Sequence, residues 1–152
     1  AITYLTSILK AGKAEAIVYY KLGNCHFFLE KYSEAAADYK KATELETKEK
    51  QFFNSLGLAY IKTREFRLSI KAFEEVIKLD PEFWDAHYHI CINHLELNEY
   101  QTAVQMAMDI IDKNPNYAKA YLVMSQSYKK MGNLADADKS RQTAIKLDPS
   151  LK

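Results

Sequence analysis

What the chain has little of closes several function classes. Net charge is close to nil, with 21 Lys plus Arg against 20 Asp plus Glu. No broad electrostatic field therefore draws in nucleic acid or an acidic membrane, and no basic amphipathic face is present. No apolar run reaches the roughly eighteen residues that a membrane-spanning helix requires. The opening AITYLTSILKAGK lacks the charged start, apolar block and small-residue cleavage site of a signal peptide. It also lacks an initiating Met, and is read as the start of a piece cut from a longer protein. Only two cysteines occur, Cys25 and Cys91, far apart in helical-looking segments. That is no disulfide framework, and it favours a reducing compartment, the cytoplasm. There is no phosphate-cradling Gly loop, no HExxH, and no Ser, His and Asp set that could be brought together. An enzyme is not expected, nor is a cofactor.

Proline is the scarcity that informs. The three prolines, Pro81, Pro115 and Pro149, are spaced 34 residues apart. Laid on that ruler, the chain falls into frames 16–49, 50–83, 84–117 and 118–152, each reading as two helices joined by a short turn. In the first half of each frame an aromatic or His, a small residue and another aromatic or His recur: Tyr19, Gly23, His26; Phe53, Gly57, Tyr60; His87, Cys91, His94; Tyr121, Ser125, Tyr128. In the second half a small residue recurs at Ala35, Ser69, Ala103 and Ala137, preceded by Tyr32, Phe66, Tyr100 and Leu134. Small side chains let two antiparallel helices approach closely, and the flanking aromatics fill the space around the crossing. With 48% hydrophobic residues the chain can bury such a core.

One stretch invites a different reading. HYHICINH, residues 87–94, places His87, Cys91 and His94 on one helical face, and zinc accepts imidazole and thiolate together. The register argues for packing instead, because these residues fill the columns that hold aromatic, small and aromatic residues in the other frames. His26 shows that the last column accepts a His with no metal partner beside it. No metal is expected there, and an adventitious or structural site at His87, Cys91 and His94 is the minor alternative. His89 lies off this face.

These residues closely resemble the tetratricopeptide repeat, whose pattern runs aromatic, Leu, Gly, Tyr, then Ala, Phe, Ala and a closing Pro. The resemblance covers residues 16–151. It departs locally at His26, His87, Cys91, His94, Arg141 and Thr47, none of which breaks the helical period. It implies an all-α fold: a right-handed superhelical solenoid of antiparallel helix pairs, whose first helices line a concave groove. The implied function is a scaffold or adaptor that binds a peptide or protein segment there, with self-assembly as the alternative. The columns implied to line the groove are Tyr20, Asn24, Asn54, Leu58, Tyr88, Ile92, Leu122 and Gln126, with Lys119 beside them as a cation for acidic partner residues. Leu58, Ile92 and Leu122 suggest apolar anchoring.

The family's two-carboxylate clamp for the tails of Hsp70 and Hsp90 needs Lys and Asn, then Asn, then Lys and Arg. The matching positions here are Tyr20, Asn24, Ser55, Asp85 and His89, or one repeat later Asn54, Leu58, His89, Lys119 and Val123. Only one position agrees in either register, so such a tail is not an expected partner. At the ends, Asp138 and Arg141 take interface positions that are Ile70 with Phe73, and Val104 with Ala107, in the inner repeats. The last helix is read as a polar cap. Extending the ruler backwards aligns Ile2, Leu5 and Leu9 with that same interface. Residues 1–15 are read as the second helix of a truncated earlier repeat, resting on Tyr19 and Leu22.

Overall fold

The computed structural model describes residues 1–10 and 15–151, the side chains of Leu9 and Lys10 excepted. Among the described residues there are α-helices, one short 3-10 turn and no strand. They form two compact units. Unit one, Ala1–Pro81, holds α1 (Ile2–Lys10), α2 (Ala16–Phe28), α3 (Tyr32–Leu45), α4 (Lys50–Lys62) and α5 (Phe66–Leu79). Unit two, Glu82–Lys152, holds α6 (Trp84–Glu96), α7 (Tyr100–Lys113), α8 (Ala118–Lys130), α9 (Leu134–Leu147) and the turn Pro149–Leu151. Within each unit every α-helix packs against the next in sequence.

The turn inside each helix pair is one device used four times. The second residue after the first helix takes the left-handed conformation: Glu30 at φ 59°, Arg64 at 62°, Asn98 at 61° and Gly132 at 81°. The next backbone N–H then reaches back to the last helical turn: Lys31 N donates to His26 O, Glu65 N to Tyr60 O, Glu99 N to His94 O and Asn133 N to Tyr128 O, at 2.8–2.9 Å. This bond satisfies carbonyls that a helix end leaves open. The second helices end at Leu45, Leu79, Lys113 and Leu147. Pro follows two residues after three of them. In the first repeat Thr47 stands in its place, and the extended backbone of Glu46 (φ −137°, ψ 106°) stops the helix without it.

The core explains the small-residue columns. Ala35, Ser69 and Ala103 are fully buried and Ala137 nearly so, and the Ser69 hydroxyl donates to the Gly57 carbonyl at 2.9 Å. A Cβ on Gly23 would stand 2.6 Å from the Tyr39 ring, and one on Gly57 would stand 2.8 Å from the Phe73 ring. Glycine is required there because the partner helix supplies a large ring. In the third repeat both members of the pair change. Ala107 holds the column of Tyr39 and Phe73, and Cys91 holds that of Gly23 and Gly57; both are fully buried in one apolar cluster with Leu95, Ala103, Ile110, Ala120 and Val123. The volume lost at Ala107 is the room that the Cys91 side chain takes up.

At the start of unit one, Leu5 is buried with Val18 and Leu22, and Ile2, Ile8 and Cys25 pack against them. Tyr19, the other expected partner, does not join this cluster, and the Leu9 side chain lies outside the described residues. Asp138 and Arg141 on α9 are both exposed.

Candidate functional site

Unit one presents the first helices α2 and α4. The half-buried Tyr20 ring lies 4.8 Å from Phe52, on the next first helix, and 5.8 Å from Tyr39. Behind it the Tyr39 hydroxyl donates to Asn24 Oδ1 at 2.8 Å, so the carboxamide of the exposed Asn24 is oriented by the core. Burial pushes the Tyr39 phenol well above its ordinary value, which keeps this donor protonated. Asn54 and Leu58, one repeat on, are half-buried.

Unit two presents α6 and α8. Tyr88 and Ile92 are half-buried and pack against the core cluster from outside, so they serve as packing as well as surface. Leu122 is half-buried and Gln126 exposed. Lys119 is drawn to its own chain: its ammonium lies 2.7 Å from Asp85 Oδ1, over the Tyr88 ring at 5.3 Å and the Tyr117 ring at 6.0 Å. The Tyr117 hydroxyl donates to the same carboxylate oxygen at 2.7 Å. The hydrogen bond from Lys119 is the main reason that the Asp85 carboxyl is held below the usual carboxylate range. The cation expected to serve acidic partner residues thus already has a carboxylate.

The His and Cys stretch resolves into separate environments. His87 stacks near Trp84, with ring centroids 5.4 Å apart. Cys91 is fully buried, and burial pushes its thiol up to about 12. The thiolate that a metal would bind is therefore strongly disfavoured. His94 Nδ1 lies 2.6 Å from Glu99 Oε2. In the same column His26 Nδ1 lies 2.6 Å from Asp38 Oδ2 on α3. Each of these histidines ties the end of a first helix to a carboxylate at or on the second, as a polar replacement for a packed Tyr. His89 is half-buried, and burial holds its pKa below the ordinary imidazole value.

Sequence patterns of the tetratricopeptide repeat match residues 16–46, 54–118 and 118–151. The chain belongs to the tetratricopeptide repeat family. Among curated relatives it is 27% identical over 111 residues to the Protein STIP1 homolog of Dictyostelium discoideum, covering 73% of this chain and 18% of that protein. The chain thus spans about a fifth of that relative's length. Among solved structures, MamA superposes with a TM-score of 0.86 at 23% identity over 99% of this chain and 82% of MamA. YrrB, described as a TPR protein with an unusual peptide-binding site, superposes with a TM-score of 0.83 at 20% identity over 97% of this chain and 76% of that one. These likenesses establish an all-helical tetratricopeptide fold.

Within that family the clamp positions can be compared atom by atom. Asn24 has its oxygen engaged by Tyr39, and Asp85 sets a carboxylate where the clamp needs a cation. Sequence reading missed the Asp85, Tyr117 and Lys119 network, although one signal was present. Asp85 and Lys119 stand one repeat period apart, in the same column of successive first helices. The Asn24–Tyr39 and His26–Asp38 contacts had no such signal, since they depend on side-chain reach across the helix pair.

Proposed function

We propose that this chain is a protein-interaction scaffold whose first helices present a peptide- or protein-binding face: Tyr20, Asn24, Asn54 and Leu58 in unit one, and Tyr88, Ile92, Lys119, Leu122 and Gln126 in unit two. The observation that carries the reading is the state of these columns. The same positions of α2, α4, α6 and α8 keep amides and large apolar side chains at least partly exposed, while neighbours such as Val18, Leu22, Leu56 and Val123 are closed into the core. Amphipathic, partly exposed side chains on rigid helices suit recognition of an extended segment. No described helix is long and apolar enough to cross a membrane, and the near-zero net charge gives nucleic acid no general foothold. Asp85 argues against the paired carboxylates of an Hsp70 or Hsp90 tail as ligand.

The test uses the whole chain as bait, beside a Leu58→Glu/Leu122→Glu variant. Ile92 is left intact because it also supports the core. Partners retained by the wild type should be lost by the variant while helix content and Tm stay nearly the same. An unchanged partner set would sink the proposal.

Self-association is the second reading. It is favoured by the apolar side chains that unit one leaves in solvent, Phe28 at 86% and Leu29 at 53% exposure. Concentration-dependent light scattering separates it from a monomer with a ligand groove. For the domain order, the reading adopted is that α1 takes the second-helix place of an earlier repeat, since Leu5 holds the column of Tyr39 and Phe73.

A further inference from the structure

The end of α2 carries an apolar edge that the repeat pattern does not ask for. Phe28 is the most exposed large hydrophobic among the described residues, and Leu29 beside it is exposed as well. In the same column of the later repeats stand Lys62, Glu96 and Lys130, all exposed. Lys62 on α4 and Lys130 on α8 have α2 and α6 as preceding first helices within their own units, so this column faces solvent even where another first helix comes before it. A charge suits such a position. The first repeat sets a phenyl ring there, whose hydration is unfavourable.

Beside the ring, the end of α2 and the start of α1 enclose an open hollow of about 520 Å³, in which no lining side chain is charged. Ile2 and Cys25 on its wall are already packed against Leu5, Val18 and Leu22, and Asn24 has its oxygen engaged by Tyr39. The hollow thus continues the α1–α2 contact and offers an apolar shape. Charges lie at its rim. Glu30 and Lys31 follow Leu29 directly, both exposed, and neither side chain has an ionic or hydrogen-bonded partner among the described residues. Opposite signs on adjacent residues let a surface meet its own copy, since about a two-fold axis each Glu30 can face the other Lys31, whereas a rim of one sign would repel itself.

We propose that this edge is a homodimer contact, in which Phe28 of each copy enters the hollow beside Cys25 of the other and Glu30 is set against Lys31 of the second copy. The inference rests on the self-association reading above and supplies its surface. A foreign apolar segment would also fill the hollow, but a second copy brings the matching rim charges by symmetry.

Sedimentation equilibrium of the whole chain over a dilution series reaching about 1 mM tests this. A contact of this size predicts a weak, reversible dimer, half formed on the order of 100 μM. Phe28→Asp should raise the dissociation constant about tenfold or more, with helix content and Tm unchanged because the ring is exposed. Glu30→Lys should weaken the dimer severalfold, by setting lysine against lysine. Arg64 holds the same left-handed position in the next repeat, so a basic residue is compatible with the turn. The exchange Glu30→Lys/Lys31→Glu restores opposite signs and should return association to within about twofold of wild type. A chain monomeric at the highest concentration would overturn this proposal together with the self-association reading. Such a monomer whose bait-retained partners are lost on Phe28→Asp would assign the edge to a different protein. Association that Phe28→Asp leaves unchanged would overturn this surface and spare the broader reading. An exchange that binds no better than Glu30→Lys, or a mass that grows past the dimer, would also overturn the two-fold contact.

Discussion

Gly57 lacks a side chain because the Phe73 ring occupies the place where one would stand, 2.8 Å from an ideal Cβ. The sign of a substitution there depends on its partner. Gly57→Ala should destabilise the wild type by about 1–3 kcal/mol through overpacking. In a Phe73→Ala background the same change should be neutral or stabilising by up to about 1 kcal/mol, because alanine is the better helix former once the ring is gone. Urea unfolding of the four proteins of this cycle measures it, and equal costs in both backgrounds would show that the ring is not the cause. Cys91 with Ala107 is the natural version of that double change. This pairing, rather than ligand chemistry, accounts for the cysteine in the HYHICINH stretch.

At the scale of the helix pair, several protonated groups hold elements together. Tyr39 on α3 bonds to Asn24 on α2, Tyr117 bonds to Asp85 at the start of α6, and the Cys91 thiol fills the core between α6 and its neighbours. Burial raises the pKa of all three, with the Asp85 hydrogen bond adding to the rise at Tyr117. An unfolded chain gives up its thiol proton near 9, whereas folded Cys91 keeps it to about 12. Between those values the native state binds more protons than the unfolded one, so stability falls as pH rises. The contribution is fully present below pH 9 and is lost as pH climbs toward 12, with the two tyrosines adding to the loss from their ordinary ionisation upward. Unfolding by urea at a series of alkaline pH values should show a fall on the order of a few kcal/mol. A Cys91→Ala variant should show a shallower slope, and an identical slope would remove Cys91 from the account.

At the scale of the whole molecule, the N-terminal helix is the sharpest case. Leu5 is buried against Val18 and Leu22, with Ile2 and Ile8 alongside, so α1 is part of the core of unit one. Each fully buried large aliphatic is worth about 1.5–3 kcal/mol. Deleting residues 1–10 should therefore cost several kcal/mol, lower the Tm and promote association through the uncovered face of α2. A deletion variant with unchanged Tm that stays monomeric in light scattering would show that α1 contributes nothing.

Periodicity is a one-dimensional signal, and the sequence carried it completely. The prolines at 34-residue spacing, the small columns and the aromatic columns dictate helix pairs in fixed register, because a repeated packing problem selects repeated residues at the same places. The residue pairs that cross between elements were decided only by the folded chain. Lys119 offers a cation in sequence but is spent on Asp85, and Asn24 looks like a ligand-binding amide but is oriented by Tyr39. Such outcomes depend on reach and direction of side chains across helix crossings, where a fraction of an ångström separates a contact from a gap, and the repeat pattern specifies columns without specifying those distances.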